Sequence, residues 1–317
     1  MNPDQPTTPT TKLLVCDQAQ TAAALPYPAL VATIARAAVE VEAGAIRSPE
    51  RMVLPLGQGG VLLSMPATAA DIGIHKLVNV QPANAQRQLP TIHGIVTACD
   101  AATGQPLCLL DGPEVTGRRT AAVSLLAIQR LLPAAPRSIL LFGTGTQAAF
   151  HVQALHALYP DCTLWVKSRS PEAAQAFCEQ QRGVHPDLRI CDGGLPEDLQ
   201  VVITLTTSTR AIYDEVARPG RLVIGVGAFK PEMAEIGKTT LDGSDLYADD
   251  PAGARHEAGD LLQAGIDWAR VGSLASAVRN QADLSRPIVF KSVGTAAWDL
   301  AAARVAIRHL DLVSDRS

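Results

Sequence analysis

Residues 138–155 read SILLFGTGTQAAFHVQAL, an apolar strand that runs straight through a glycine turn into an amphipathic helix. A strand followed at once by a helix returns over the face of its own sheet, so this stretch predicts a βαβ unit and parallel strands. The turn itself, Gly143-Thr144-Gly145-Thr146-Gln147-Ala148, has the G-x-G-x-x-A form of a dinucleotide-binding loop. In that form the first glycine permits the tight turn, the second lets a pyrophosphate approach the backbone, and the alanine lets helix and strand pack closely. The phosphates would lie at the helix N-terminus, where free N–H groups and the helix dipole favour an anion. Downstream, CTLWVKS, PEAAQAFCEQQ, LRICDG, VVITLTT and LVIGVG continue the alternation. A Rossmann-type, doubly wound parallel sheet is the expected result.

The strand after the turn discriminates between nicotinamide cofactors. In NAD-binding versions its C-terminal end carries an acid for the ribose 2′-hydroxyl. Here it ends in Lys167-Ser168-Arg169-Ser170, with no Asp or Glu before Glu172. A guanidinium and two hydroxyls suit a 2′-phosphate, so NADPH is expected in preference to NADH.

The first third of the chain has a different texture. Residues 26–43 form an amphipathic helix ended by Gly44, and then RMVLPL, GGVLLSMPA, IGIHKLVNV, IHGIVTACD and PLCLLDG follow as successive short strands. Strands without helices between them predict a mixed or antiparallel sheet, hence an α+β domain beside the Rossmann domain. Lys76 alternates with Ile74 and Val78, so it lies either on a solvated face or in a pocket, and His75 points the other way. At Thr116 the texture changes to helix. With Thr116 as N-cap, Arg118 and Arg119 fall in the first turn, where a cation opposes the helix dipole. Either both are solvated, or an anion sits in front of them.

Composition narrows the partners. The 317 residues carry a formal charge of −4 and no Lys/Arg run longer than two, so no nucleic-acid partner is expected. The start MNPDQPTTPTT is polar and Pro-rich rather than a signal peptide, and no apolar run is long enough to span a membrane. Six cysteines without a C-x-x-C pair point to reduced thiols in the cytoplasm. Seven histidines show no H-x-x-x-H spacing, so no metal is expected.

Longer stretches resemble the ornithine cyclodeaminase/mu-crystallin family. They are LPTIHGIVTACDAATGQPLCLLDGPEVTGRRTAAVSLL, FGTGTQA, TLTTSTRAIYDEVARPGRLVIGVGAFKPEMAEI and FKSVGTAAWDLAAARVA, in the family's order and covering nearly the whole chain after residue 12. The resemblance implies a substrate-binding and dimerisation domain (1–115 with 296–317), a Rossmann domain (116–295) and a homodimer. It also implies chemistry at a carbon–nitrogen double bond beside a carboxylate, with a nicotinamide as hydride donor or acceptor. Position by position, it makes Arg51, Lys76 and Arg119 the carboxylate pocket, with Arg118 a bystander and the helix N-terminus assisting Arg119. Lys76, its pKa lowered by two neighbouring arginines, and His93 are the proton-donor candidates. Gly143, Gly145, Thr146, Gln147, Ser168, Arg169, Ser170, Thr206, Thr207, Val226, Gly227, Ser292 and Gly294 are the implied cofactor contacts.

One departure from the family pattern points to a subfamily. Ornithine cyclodeaminases carry an Asp in Gly-Gly-Asp-Cys-Pro, but this chain reads Val226-Gly227-Ala228-Phe229-Lys230-Pro231 there, and GGVLLSMPA has no acid either. A pocket without acids has little to hold a free ammonium. The expected activity is therefore reduction of a small cyclic imino acid, Δ1-pyrroline-2-carboxylate to L-proline, with the six-membered Δ1-piperideine-2-carboxylate to L-pipecolate also expected. The alternatives are an NAD-dependent ornithine cyclodeaminase and a crystallin-like NADPH-binding protein without turnover.

Overall fold

Two sheets divide the chain at one long helix. The computed structural model describes residues 13–312, so the Pro-rich leader lies outside the described residues. The first sheet contains β1 (Leu14–Val15), β2 (Met52–Leu56), β3 (Gly60–Thr68), β4 (Ile72–Val80), β5 (Ile92–Asp100) and β6 (Pro106–Asp111). Its order is β1-β6-β5-β4-β3-β2, antiparallel except for the parallel pair β1–β6, which is the mixed sheet the strand run predicts. Helices α1 (Gln18–Ala24) and α2 (Tyr27–Glu42) precede β2. Leu30, Ile34, Ala37 and Ala38 form the buried stripe of α2, at the spacing of one helix face. Among the described residues no single helix is long and apolar enough to cross a membrane, and α1 and α2 meet at a bend of 69°.

Period-two alternation sets what each face of this sheet carries. Met65, Ile74, Lys76 and Val96 point to the buried face, while Leu54, Ser64, His75 and Ile95 point outward.

The dividing helix is α3 (Gly112–Leu131), and it corrects the sequence reading. Asp111, not Thr116, is the N-cap, accepting 2.7 Å from the Glu114 N–H, and Pro113 occupies the first turn. That cap starts the helix at Gly112, so Arg118 and Arg119 lie in the second turn, beyond the dipole's strongest reach. The anion-binding helix end expected to assist Arg119 is therefore elsewhere.

After α3 come β7 (Ser138–Phe142), α4 (Thr146–Leu158), β8 (Thr163–Lys167), α5 (Pro171–Gln181), β9 (Leu188–Ile190), β10 (Val201–Thr204), β11 (Thr209–Tyr213), β12 (Leu222–Gly225) and β13 (Ala234–Ile236). Then follow α6 (Lys238–Asp242), β14 (Asp245–Ala248), α7 (Pro251–Glu257), α8 (Gly259–Ala264), β15 (Gly272–Ser273), α9 (Leu274–Val278), β16 (Ile288–Lys291) and α10 (Ala296–His309). The second sheet has the order β9-β8-β7-β10-β12-β16-β14-β15, and every pairing in it is parallel. β11 and β13 pair separately.

Alternate residues of the same parallel strands feed two cores. Ile139, Leu141, Ile203, Ile224 and Phe290 join the core shared with the first sheet, while Leu140, Val202, Val223 and Val289 join the opposite one. That explains the unbroken apolar runs of β7, β10, β12 and β16, since a parallel sheet is covered on both faces. α10 returns from the second sheet to pack on α2, β3 and β4, placing its side chains under the first.

Candidate active site

The strand order reverses between β7 and β10, the place where open α/β sheets hold ligands beyond the carboxyl ends of their strands. Gly143 follows β7 with φ +119°, and a Cβ there would lie 2.8 Å from the Leu205 carbonyl oxygen after β10, so only glycine fits between the two strand ends. Gly145 is the N-cap of α4; it offers no side-chain cap, and nothing lies within 4 Å of where its Cβ would be. The first N–H groups of α4 thus face open space at the positive end of a helix. Those features fit a dinucleotide pyrophosphate.

At the end of β8, Arg169 is exposed and forms no ion pair among the described residues, and Ser168 is half-buried beside it. Ser170 has structural work as well: its Oγ accepts from Ala173 N–H at 3.2 Å, capping α5, and donates to Glu172.

The loops after β10 and β12 are tied together by a residue the sequence did not single out. Glu235 on β13 is fully buried and accepts from Thr204 Oγ1 (2.9 Å), Thr206 N (2.6 Å), Thr206 Oγ1 (2.8 Å), Gly227 N (2.6 Å) and Ala228 N (3.1 Å). Burial pushes its carboxyl pKa up, against the opposite pull of Lys291 and these donors. Lys291 is itself fully buried, 2.9 Å from Asp260. A third buried acid, Asp249, shapes the β16–α10 turn by accepting from Ser292 Oγ, Val293 N, Gly294 N and Trp298 Nε1.

These loops close over a cavity of about 260 Å³ that brings together Lys76, Arg119, Gln147, Thr206, Thr207, Val226, Gly227, Ser292 and Gly294. Apart from Lys76, the wall formed by the first sheet is apolar, with Leu63, Met65, Val78, Val80 and Ile92, and Phe229 also lines the cavity. Arg119 and Lys76 are 7% and 2% exposed. Lys76 Nζ donates to Asp299 Oδ1 and Oδ2 at 3.0 and 3.2 Å, and Arg119 Nε donates to Oδ1 at 3.2 Å. The Arg119 guanidinium lies over Gly294, whose φ is +77° and whose Cβ would fall 2.5 Å from Nη1. Lys76 has its pKa lowered to about 8. The cause differs from the expected one: burial is the largest, with Arg119 and the more distant Arg51 adding to it and Asp299 opposing.

No acid lines the cavity among the described residues, but Asp299 on α10 sits behind both cations. The acid reaches the site from residues 180 positions or more away in the chain, so no local pattern announces it. It is already paired twice and does not itself line the cavity. Ala228 is fully buried, with its backbone N–H on Glu235, so a carboxylate side chain there would be buried as well.

Two expected pocket residues are placed outside this cavity. Arg51 Nη2 bonds Glu257 Oε2 (2.8 Å) and the Gly294 carbonyl (2.9 Å), lining a neighbouring cavity of about 310 Å³ that shares Met65 and Gly294 with the first. His93 is exposed and pairs with Asn79 on the outward face of β5, the face opposite to Ile92. Arg118 pairs with Glu114 at 2.6 Å and lies over the Tyr27 ring, away from the cavity.

Comparison with known proteins agrees with this geometry. Residues 12–310 match the ornithine cyclodeaminase/mu-crystallin family. The chain is 56% identical over 296 residues to Delta(1)-pyrroline-2-carboxylate reductase 2 of Burkholderia ambifaria, covering 93% of this chain and 95% of that one. It is 56% identical over 293 residues to the Delta(1)-pyrroline-2-carboxylate/Delta(1)-piperideine-2-carboxylate reductase of Azospirillum brasilense, covering 92% and 94%. In fold it is similar to Thermococcus litoralis Delta(1)-pyrroline-2-carboxylate reductase, solved with NADH and L-proline, with a TM-score of 0.82, 23% identity and coverage of 94% and 97%.

Proposed function

The chain belongs to the ornithine cyclodeaminase/mu-crystallin family, and on that premise we propose that it is an oxidoreductase reducing Δ1-pyrroline-2-carboxylate to L-proline, with Δ1-piperideine-2-carboxylate as a second substrate. The observation that carries this reading is the cavity itself: two buried cations, Lys76 from β4 and Arg119 from α3, beside a wall of aliphatic side chains. That combination suits a small ring with one carboxylate, and relatives 56% identical over nearly the full chain bear the corresponding names.

A bound nicotinamide dinucleotide would supply the hydride. The α4 N-terminus and Gly145 would hold its pyrophosphate, and Thr206, Thr207, Val226 and Gly227 would line its path toward the cavity. Arg119 offers its terminal nitrogens to the substrate carboxylate, which fixes the ring's angle. Leu63, Val78, Val80 and Ile92 face the ring methylenes and exclude water. Lys76 Nζ, with a pKa near 8, holds a proton at neutral pH and can keep the imine nitrogen protonated, which makes the imine carbon electrophilic. We place Arg51 as a further carboxylate ligand only after exchange of its Glu257 partner, and give His93 no role in the reaction.

NADPH is the proposed cofactor, with Arg169 and Ser168 at the ribose and Ser170 closing α5 beside them. Arg169→Ala should raise the NADPH dissociation constant on the order of tenfold or more, about 1.4 kcal/mol, while leaving NADH nearly unchanged. An equal loss with both would remove the 2′-phosphate role. For the activity, NADPH oxidation is followed at 340 nm with Δ1-pyrroline-2-carboxylate, beside an ammonia assay with ornithine and NAD. NADPH consumption without ammonia is expected, and ammonia alone would mean a cyclodeaminase.

The outward face of the first sheet exposes Met52, Leu54 and Ile95 at 57%, 48% and 41%. An apolar sheet face of this kind is an interaction surface, and we assign it to a homodimer, to be read as twice the chain mass by light scattering. The six free cysteines, five of them buried, fit a reducing compartment, and we place the protein in the cytoplasm.

A further inference from the structure

The cavity's two cations share one anion, and its placement limits what they can do. Asp299 is fully buried in the first turn of α10, where the helix dipole favours a negative charge. Both of its oxygens receive Lys76 Nζ, and Oδ1 also receives Arg119 Nε. We propose that Asp299 is the positioning residue of this site: it selects which N–H groups of Lys76 and Arg119 face the ligand, and it sets the net charge the ligand must match. The proposal rests on the reading of the cavity as an imino-acid site.

Donor counting supports the first half. An ammonium has three N–H groups, and one is committed to Asp299, shared between its two oxygens, leaving two. A guanidinium has five, and the Nε edge of Arg119 is committed to Asp299. What remains for a ligand is the terminal pair of nitrogens, the edge suited to a bidentate carboxylate. Without Asp299, both long side chains could turn and present different edges.

Charge counting supports the second half. Lys76 and Arg119 contribute two positive charges and Asp299 one negative charge, leaving one positive charge in a buried site. Arg51 is neutralised locally by Glu257. One excess positive charge suits a monocarboxylate with no second acidic group, because an unmatched charge in a buried site is costly. A dicarboxylate would leave one negative charge unpaired.

Lys76 reports this arrangement through its titration. The groups facing it are Asp299 from α10 and Arg119 from α3, with Arg51 at longer range, while its neighbours across β3 and β5 are the uncharged Met65 and Val96. Asp299 pulls the Lys76 pKa upward, so removing that carboxylate lowers it, and the protonated form is lost at a lower pH.

The test compares pH profiles of kcat for the full-length protein and for Asp299→Asn, with NADPH and Δ1-pyrroline-2-carboxylate, and measures NADPH binding separately by fluorescence. Expected is a falling alkaline limb that moves down by roughly one to three pH units in Asp299→Asn, with a raised KM for the ketimine and unchanged NADPH binding. Asp299→Glu, which keeps the charge, should hold the limb at the wild-type pH even if kcat falls. A limb that stays in place in an Asp299→Asn protein that still binds NADPH overturns the proposal. So does loss of NADPH binding in both variants, which would make Asp299 a structural residue. If Asp299→Asn alone loses NADPH binding, an Asp299→Glu limb at the wild-type pH supports the charge role and a moved limb overturns it. A wild-type protein that turns over no cyclic ketimine would instead refute the functional reading, so the two failures are distinct.

Discussion

Arg119→Met is expected to lower kcat/KM for Δ1-pyrroline-2-carboxylate by about three orders of magnitude. The loss is that of two charge-assisted hydrogen bonds to the substrate carboxylate, each worth roughly 2 kcal/mol in a buried site, for a total near 4 kcal/mol. Methionine fills a similar volume, so the surrounding packing of a residue only 7% exposed is largely kept. Dinucleotide binding should not change, because Arg119 is on α3 and the glycine turn is after β7. The neighbouring Arg118→Ala is the internal comparison. Its guanidinium goes to Glu114 and the Tyr27 ring, so its kinetics should match wild type. Equal losses in the two variants would remove Arg119 from the site.

The second large effect is expected at Glu235, which no dinucleotide motif includes. Glu235→Ala strips the acceptor from three backbone N–H groups and two threonine hydroxyls, and leaves Lys291 with Asp260 as its remaining buried counter-charge. Breaking a buried charge network by removing one partner costs about 3–5 kcal/mol, and the donors left without partners add to that. Chemical unfolding should show the loss as a lower midpoint. The loops carrying Thr206 and Gly227 would also lose their common anchor, so NADPH affinity should fall even where the protein remains folded. Glu235→Gln retains one acceptor oxygen and should recover part of both. An alanine variant with wild-type stability would show that the cluster is not holding these loops.

How much of this was legible in advance depended on the range over which each signal acts. The five strands of the first sheet after β1, the helix–strand alternation after α3 and the glycine turn are local patterns of period, length and turn chemistry. All were readable from residues near one another. The start of α3 was misread for a related reason. Thr116 is a good cap in isolation, but Asp111 followed by Pro113 and Glu114 is a better one, and the intervening residues do not break a helix. For the segment 231–287 the sequence suggests a place in the Rossmann domain but no individual strands or helices. Its strands β13, β14 and β15 have two to four residues, too short to display alternation.

The sequence by itself determined the two sheet types, the dinucleotide turn, the opposite directions of His75 and Lys76 and the absence of an acid at position 228. Each follows from spacing along one element or from a motif a few residues long. Only the tertiary structure decided that Asp299 lies behind Lys76 and Arg119, that Arg51 is bound to Glu257, and that Glu235 ties the loops after β10 and β12. The Asp299, Arg51 and Arg119 partnerships join residues more than 170 positions apart through the return of α10 or α7 onto the first part of the chain. Glu235 is nearer in sequence but sits on a strand too short to be seen. Pairing over such distances is set by how helices pack on sheets, and a charge gives no sign along the chain of which partner packing will bring to it.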